Sequence, residues 1–309
     1  MRLRRAATYA DYERIAALAS TTEPEPLTAD ALIDERKSMP AGQILREMVA
    51  EDETGFVVGF SRVVRLPWWG PGRVSLWVVV DPALRGRGTG SLLCAEASAH
   101  ATELGLTRWE TEVMDDDAPA LRFAQNRGYA IDRHLFGSSL VVSEFDDAPF
   151  AGVVDRVKAS GIRFFTMADA GDTPDARRRM YEVNKATSLD IPGRDRTYSA
   201  FEQYSQRMFG TSRYRPELQL IAADGDQWVG LSALTPVGQA LENRMTGVIA
   251  SHRGRQIALA LKLLAIETAK AHGFPRLVTN NDSENGPMLA INRKLGYKPE
   301  PGVYLMKKG

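Results

Sequence analysis

The 309-residue sequence has little cysteine, little histidine and no net charge, and each of these features excludes a class of protein. The single cysteine, Cys94, cannot form an internal disulfide, as expected of a chain from a reducing compartment. The four histidines are scattered without the Cys/His spacing of a zinc site, so we expect no metal. Because 39 basic residues balance 39 acidic residues, overall charge does not favour nucleic acid or an anionic membrane as a partner.

Long apolar runs are also missing from the sequence. None approaches the length of a membrane span, and the charged N-terminus lacks the apolar core of a signal peptide. We therefore expect a cytoplasmic protein. The hydrophobic content of 44% is typical of a globular chain, and a length of 309 residues indicates about two domains.

Two glycine-rich segments, residues 84–90 and 252–258, dominate what the sequence does contain. Each follows a short apolar strand and opens a predicted helix. When Arg85 is aligned with Arg253, the register holds without a gap from these loops to Gly-Tyr pairs at residues 128–129 and 296–297. An internal repeat of this length indicates a duplicated domain.

Hydrophobic spacing predicts the same order of elements in both halves: a strand, two helices, three strands, the loop with a long helix, a strand, a helix and closing strands. Residues 129–142 are predicted to be a closing pair of strands in the first half. The polar stretch at residues 144–151 marks the junction. We therefore predict an α/β chain with an N-terminal domain at 1–148 and a C-terminal domain at 149–309.

A strand, a glycine-rich turn and a helix start together form an anion site. The first N–H groups of a helix have no partner within it, and glycines let the backbone approach a phosphate closely. One copy alone is equally compatible with a tight turn, but the repetition favours phosphate binding.

Both halves resemble the GNAT superfamily of N-acetyltransferases. The matching motifs are the Arg-x-x-Gly-x-Gly/Ala loop after a strand and the downstream helix that ends in Gly-Tyr, and the pair is similar to two-domain members of the mycothiol synthase type. The resemblance implies two tandem acyl-CoA acyltransferase domains, each a mixed, mostly antiparallel sheet flanked by helices. It also implies direct transfer of an acetyl group from acetyl-CoA, as co-substrate, to a primary amine of a small molecule, with no covalent enzyme intermediate.

The resemblance further assigns cofactor contacts. The N–H groups of each loop would bind the diphosphate, and the end of the preceding strand would pair with the pantetheine arm. The predicted residues are Val78, Val80, Arg85, Gly86, Arg87, Gly88, Thr89 and Gly90 in the first half, and Thr246, Val248, Arg253, Gly254, Arg255, Gln256, Ile257, Ala258, Asn281 and Asn285 in the second. Gln256 replaces a motif glycine, which predicts weaker phosphate binding there, and Asn285 is alternatively a helix cap.

Catalytic residues are harder to assign. The family often has a tyrosine four residues before the helix-ending glycine, where this sequence has Ala124 and Asn292. Asn292, Glu112 and Glu242 are the candidates, although each carboxylate is alternatively a solvated surface group. We hypothesise that the C-terminal half, which has the better pocket, is catalytic. The N-terminal half would bind the cofactor without turnover or act on its own.

Other functions stay open at this stage. The missing tyrosines are compatible with an acyl-CoA-binding sensor or scaffold with degenerate catalysis, and the acceptor could instead be a protein or peptide amine. A nucleotide-binding module is disfavoured because the loop lacks the Lys-Ser/Thr ending of a P-loop. The sequence identifies neither the acceptor nor the oligomeric state, and a homodimer is left open.

Overall fold

The structure is a computed structural model that describes residues 1–22, 27–67, 69–191 and 198–309. It divides into two compact units. Unit 1 comprises Met1–His134 together with Val303–Gly309, and unit 2 comprises Leu135–Gly302. In chain order the elements are β1 (Arg2–Arg5), α1 (Tyr9–Ala19), α2 (Ala29–Ser38), β2 (Ile44–Glu51), β3 (Val57–Arg65), β4 (Arg73–Val80), α3 (Thr89–Glu103), β5 (Arg108–Met114), α4 (Ala118–Gln125), β6 (Ala130–Val141), α5 (Val153–Ala159), β7 (Ile162–Thr166), α6 (Pro174–Ser188), α7 (Phe201–Phe209), β8 (Gln219–Asp224), β9 (Gln227–Val237), β10 (Ala240–Val248), α8 (Ile257–Ala271), β11 (Arg276–Asp282), α9 (Gly286–Lys294) and β12 (Lys298–Lys308).

The sheet of unit 1 has the order β1-β2-β3-β4-β5, followed by residues 303–308 of β12. Its neighbours are antiparallel except β4 and β5, which are parallel because α3 connects them. One face packs against α3 through a core that includes Val74, Ala97 and Trp109. The other face packs against α1 and α2, with Tyr12 and Phe60 in that core.

Unit 2 repeats this plan with the order β7-β8-β9-β10-β11, followed by residues 135–141 of β6. Here β10 and β11 are the parallel pair, connected by α8. One face packs against α8 through Leu241, Leu261 and Leu277, and the other packs against α6 and α7 through an aromatic cluster around Tyr204.

Local sequence explains where several helices begin. Thr8, Thr28 and Thr173 each accept a hydrogen bond from an N–H group in the first turn of α1, α2 and α6. In α1 the carboxylate of Asp11 also accepts from the backbone N–H of Thr8, which completes a capping box. Among the residues described, no helix is long and apolar enough to cross a membrane.

The structure differs from the sequence predictions in three places. Residues 130–141 form one long strand, β6, instead of a pair of strands. Helix α5 was not predicted, because seven residues with apolar side chains only at Val153, Val154 and Val157 give a weak periodic signal. The boundaries between the units lie at residues 134/135 and 302/303 instead of at the predicted junction, 148/149. The reason is that residues 135–141 of β6 pair with β11 of unit 2, whereas residues 303–308 of β12 pair with β5 of unit 1.

Candidate functional site

Strands β4 and β5 of unit 1 separate from each other part of the way along their length. They are paired only over residues 73–75 and 108–110. Beyond that point β4 continues to Val80 alongside β3, and β5 continues to Met114 alongside residues 303–308. We call the gap between the diverging strands the fork of unit 1.

The register of β4 shows which of its main-chain groups face this fork. The N–H of Asp81 donates to the carbonyl of Val58 at 2.9 Å, so these two residues form a hydrogen-bonded pair. Because such pairs alternate in an antiparallel ladder, Val78 and Val80 direct their N–H and C=O groups away from β3. The Nε of Arg85 donates to the carbonyl of Val80 at 3.3 Å, which confirms this direction. The residues predicted to pair with pantetheine thus line the fork.

The glycine loop of unit 1 places an open helix start beside the fork. Gly86 and Gly88 have φ angles of 77° and 87°, which lie in the left-handed region where glycine has no steric penalty. Helix α3 then begins at Thr89, and no side chain caps it. The first N–H groups of α3 are therefore available to an anion.

Unit 2 contains the same arrangement. Strands β10 and β11 pair only over residues 240–242 and 276–278. The N–H of Ile249 donates to the carbonyl of Val229 at 2.9 Å, so Thr246 and Val248 direct their main-chain groups into this second fork. The loop also keeps its shape, with Gly254 at a φ of 76° and Gln256 at 60°. The replacement of glycine by Gln256 has therefore left the backbone path of the loop unchanged.

The loop arginines are held by different carboxylates in the two units. Arg85 pairs with Asp117 at 2.9 Å, whereas the first arginine of the second loop, Arg253, pairs with Asp190 at 2.6 Å. The position equivalent to Asp117 is Asn285, which has no charge to offer. Asp117 caps α4 by accepting from Ala120, but the side chain of Asn285 makes no capping bond with α9. The side-chain amide of Asn285 is therefore not used as a helix cap.

The fork of unit 2 has a polar lining on the side of α8. Asn243 donates to the hydroxyl of Ser232 at 2.6 Å and accepts from Thr246 at 2.8 Å. Thr279 on β11 donates to the carbonyl of Asn243 at 2.9 Å. In unit 1, Leu76 and Val78 take the places of Asn243 and Thr246. The other two positions stay polar, with Ser61 and Thr111 matching Ser232 and Thr279. The two forks thus share main-chain geometry but differ in their side chains.

A chain of hydrogen bonds fixes the orientation of Asn292. The Nδ2 of Asn281 donates to the carbonyl of Phe136 and to the hydroxyl of Ser138, so its Oδ1 is left as an acceptor. The Nδ2 of Asn292 donates to that oxygen at 2.8 Å. The remaining atom, Oδ1 of Asn292, is buried and has no partner among the described residues. Asn292 therefore keeps an acceptor, Oδ1, and the second N–H of its Nδ2, but no acidic group.

The carboxylate candidates lie in different units. Trp109 and Val113 pack on the α3 side of β5, so Glu112 faces the opposite side, where it is solvent-exposed along the fork. Partial desolvation and, second, the charge of Glu110 raise the pKa of Glu112. Glu242 of unit 2 is largely buried and accepts a hydrogen bond from Asn280 at 3.3 Å. The roles of Glu112, Glu242 and Asn292 stay predictions.

Sequence analysis missed a buried charged cluster in unit 1, formed by Tyr12, Glu47 and Arg62. A signal was available in one strand, because Arg62 lies in the mostly apolar run of β3. Nothing local in the sequence shows that the two strands place these side chains beside each other.

Comparison with known protein families also finds one domain in each half of the chain. The model of the acetyltransferase (GNAT) family matches residues 10–129 and again residues 179–297. A mycothiol acetyltransferase of Clavibacter michiganensis is 24% identical over 258 residues, covering 81% of this chain and 76% of the relative. One from Thermobifida fusca is 26% identical over 240 residues, covering 72% and 70%. A crystallised tandem GNAT protein from the clavulanic acid biosynthesis pathway shares the fold with a TM-score of 0.65 at 23% identity, covering 99% of this chain and 98% of that one.

Proposed function

The chain belongs to the GNAT family of acetyltransferases, and from that premise we propose that it transfers the acetyl group of acetyl-CoA to a primary amine of a small molecule by direct attack. One observation carries the proposal. In each unit an uncapped helix start lies next to a fork into which strand residues direct their main-chain N–H and C=O groups. Such an arrangement suits a ligand with a diphosphate at one end and an amide-containing arm at the other.

The residues of both forks fit acetyl-CoA. The N–H groups at the start of α3 and α8 would bind the diphosphate, while Val78 and Val80, or Thr246 and Val248, would pair with the pantetheine amides as an added strand does. In unit 2 the uncommitted amide of Asn285 adds a further donor and acceptor. The side chain of Asn281 has both N–H groups occupied within the unit, so we assign it to holding Asn292.

The chemistry requires few protein groups. A neutral amine attacks the thioester carbonyl, and a strand N–H at the fork would stabilise negative charge on the carbonyl oxygen. The amine must lose a proton to a carboxylate or to water. Because the carboxamide of Asn292 is not an acid, the departing thiolate would take its proton from water. We place turnover on small amines in unit 2, where the fork has the polar lining.

The relatives support a small-molecule acceptor over a protein one. Both relatives are named mycothiol acetyltransferases, and each match covers at least 72% of this chain. Their identities of 24% and 26% leave the particular acceptor open.

Blocking each loop separately tests the assignment. In Gly90→Glu the new side chain would contact Phe123 and put a carboxylate at the start of α3, and Ala258→Glu is the matched change in unit 2. Acetyl-CoA binding is measured by calorimetry, and turnover by release of free CoA with a panel of amines. We expect each change to remove one acetyl-CoA binding event. We also expect Ala258→Glu to abolish turnover on amines that carry no carboxylate.

Two results would contradict the proposal. Loss of that turnover only in Gly90→Glu would show that unit 2 is not the catalytic one. Tight binding of acetyl-CoA without CoA release from any amine would favour an acyl-CoA sensor, the function to which the lack of an acidic group at Asn292 points.

A further inference from the structure

A row of side chains crosses the sheet of unit 1 on the face covered by α1 and α2. Glu47 on β2 is paired with Arg62 on β3, and Arg62 is paired with Trp77 on β4. Since Ser75 is level with Glu110 in the parallel pair, Glu112 lies at the level of Trp77 on the far side of the fork. A buried charged pair therefore lies one strand away from the edge of the fork.

Glu47 is fully engaged within this cluster. Its Oε2 accepts from the hydroxyl of Tyr12 at 2.9 Å and from Arg36 at 2.8 Å, and its Oε1 lies 3.5 Å from the Nε of Arg62. Tyr12 and Glu47 are buried. Glu47 is thus neutralised by two cations and fixes the position of Arg62.

Arg62 has N–H donors that make no hydrogen bond with any described residue. Its side chain is only 10% exposed, yet its Nε and Nη2 are buried without a hydrogen-bond partner in the part of the chain that the structure describes. Its Nη1 donates to the carboxylate of Glu35 at 2.9 Å, and the Glu35 side chain is 51% exposed. A buried guanidinium with free donors is an expensive arrangement unless a further acceptor completes it. Glu35, which can swing into solvent, occupies a position that an incoming carboxylate could take.

Unit 2 has no such cluster at the matching positions. Its row consists of Gln219, Ala233 and Met245, with Asn280 beyond the fork, and none of these residues is charged. The same fold is therefore stable with an uncharged row, so the charges of unit 1 are not a requirement of the architecture.

We propose that unit 1 has an acceptor site of its own, for an amine that also carries a carboxylate, with Arg62 as the anchor for that carboxylate. The inference rests on the proposed function and adds to it the acceptor class of the N-terminal unit. The amine enters the fork from the α1 and α2 face, because α3 and apolar residues such as Val78 and Leu93 fill the other face. Arg62 is on β3 and the fork begins beyond β4, so at least one strand spacing of ~5 Å separates the backbone of Arg62 from the fork, and its long side chain must cover part of that distance.

The transfer step balances without a further reactant. The amine nitrogen bonds to the thioester carbonyl carbon and the carbon–sulfur bond breaks, so CoA leaves as the thiolate. The proton lost by the nitrogen passes to Glu112, which faces the fork on this side and later releases it to water. The thiolate takes a proton from water. Arg62 acts as a specificity-determining residue, because it binds the acceptor and does not contact the reacting atoms.

The test uses the full chain with unit 2 blocked by Ala258→Glu, and amino acids paired with their own carboxamides, such as β-alanine with β-alaninamide. In that background we expect CoA release with carboxylate-bearing amines. Arg62→Lys keeps the charge but removes the free donors, and should raise KM for the carboxylates by roughly tenfold or more. Glu35→Gln removes the competing carboxylate and should lower the same KM several-fold. Neither variant should change the kinetics of the carboxamides more than about twofold.

The two variants are expected to shift KM in opposite directions, which distinguishes a binding role of Arg62 from a structural one. If Arg62 were only structural, Glu35→Gln would not lower KM for the carboxylates alone. Thermal melts check that each variant is folded. CoA release that disappears completely in Ala258→Glu, or KM values that move equally for carboxylates and carboxamides, would overturn the inference. An unmodified chain that releases no CoA with any amine would instead overturn the proposed function itself.

Discussion

At the scale of single residues, Lys262 is the group most at odds with its surroundings. It lies on α8 with only 1% of its surface exposed, and its ammonium is 5.1 Å from the centre of the Tyr297 ring. Burial alone lowers the pKa of Lys262 from its ordinary value of 10.5 to about 7. The folded chain therefore holds this proton less tightly than the unfolded chain does.

Lys262→Met should stabilise the protein in a pH-dependent way. Because the unfolded lysine binds a proton up to about pH 10.5 and the folded one only up to about pH 7, the stability of the natural chain rises with pH between these values. Below pH 7 the full cost is present, at most roughly 5 kcal/mol. We expect the variant to have a higher Tm at pH 6 to 8, with the difference shrinking as the pH approaches 10.5. Lys270→Met, at an exposed position of the same helix, is the control that removes a lysine without changing a buried site.

At the scale of elements, the loop and the helix after it have the same backbone arrangement in both units but differ in the residue that precedes the helix. Gly88 and Gln256 occupy the same place before α3 and α8, both with left-handed backbone. A side chain in that conformation costs roughly 1 kcal/mol relative to glycine. Unit 2 tolerates this cost because α8 is strongly buried, with Ile257 and Leu261 at 1% and 0% exposure.

Exchanging these two residues tests the cost directly. Gln256→Gly should raise the free energy of unfolding by up to about 1 kcal/mol, and Gly88→Gln should lower it by a similar amount. Both loops should still bind acetyl-CoA, because the N–H groups belong to the backbone. Chemical denaturation and calorimetry measure the two quantities. A loss of binding in Gly88→Gln without a loss of stability would show that the side chain itself obstructs the diphosphate.

The elements also show where sequence analysis succeeds. The order of strand, glycine loop and long helix was predicted correctly in both halves, because these elements are adjacent in the chain. The pairing of Arg62 with Glu47 was not predicted, because it depends on the register between two strands, which no local sequence signal gives. The contact of Asn281 with Ser138 was missed for the same reason, since 143 positions separate the two residues.

At the scale of the whole molecule, the repeat in the sequence and the units of the fold do not coincide. By sequence, residues 303–309 close the second copy of the repeat. In the structure they belong to unit 1, where residues 303–308 pair with β5 and Met306 is completely buried in the core beside α3. A fragment that ends at residue 148 would therefore lack a strand and a core residue of its own sheet.

Met306→Ala should destabilise unit 1 although it lies near the C-terminus. Removing a fully buried methionine side chain costs about 2–5 kcal/mol. Hydrogen exchange should accelerate in β4 and β5 and much less in β10 and β11. Leu277→Ala, equally buried in the core of unit 2, is the matched control and should give the reverse pattern. If Met306→Ala instead loosened β10 and β11 first, the C-terminal strand would belong to the second copy, as the repeat alone predicts.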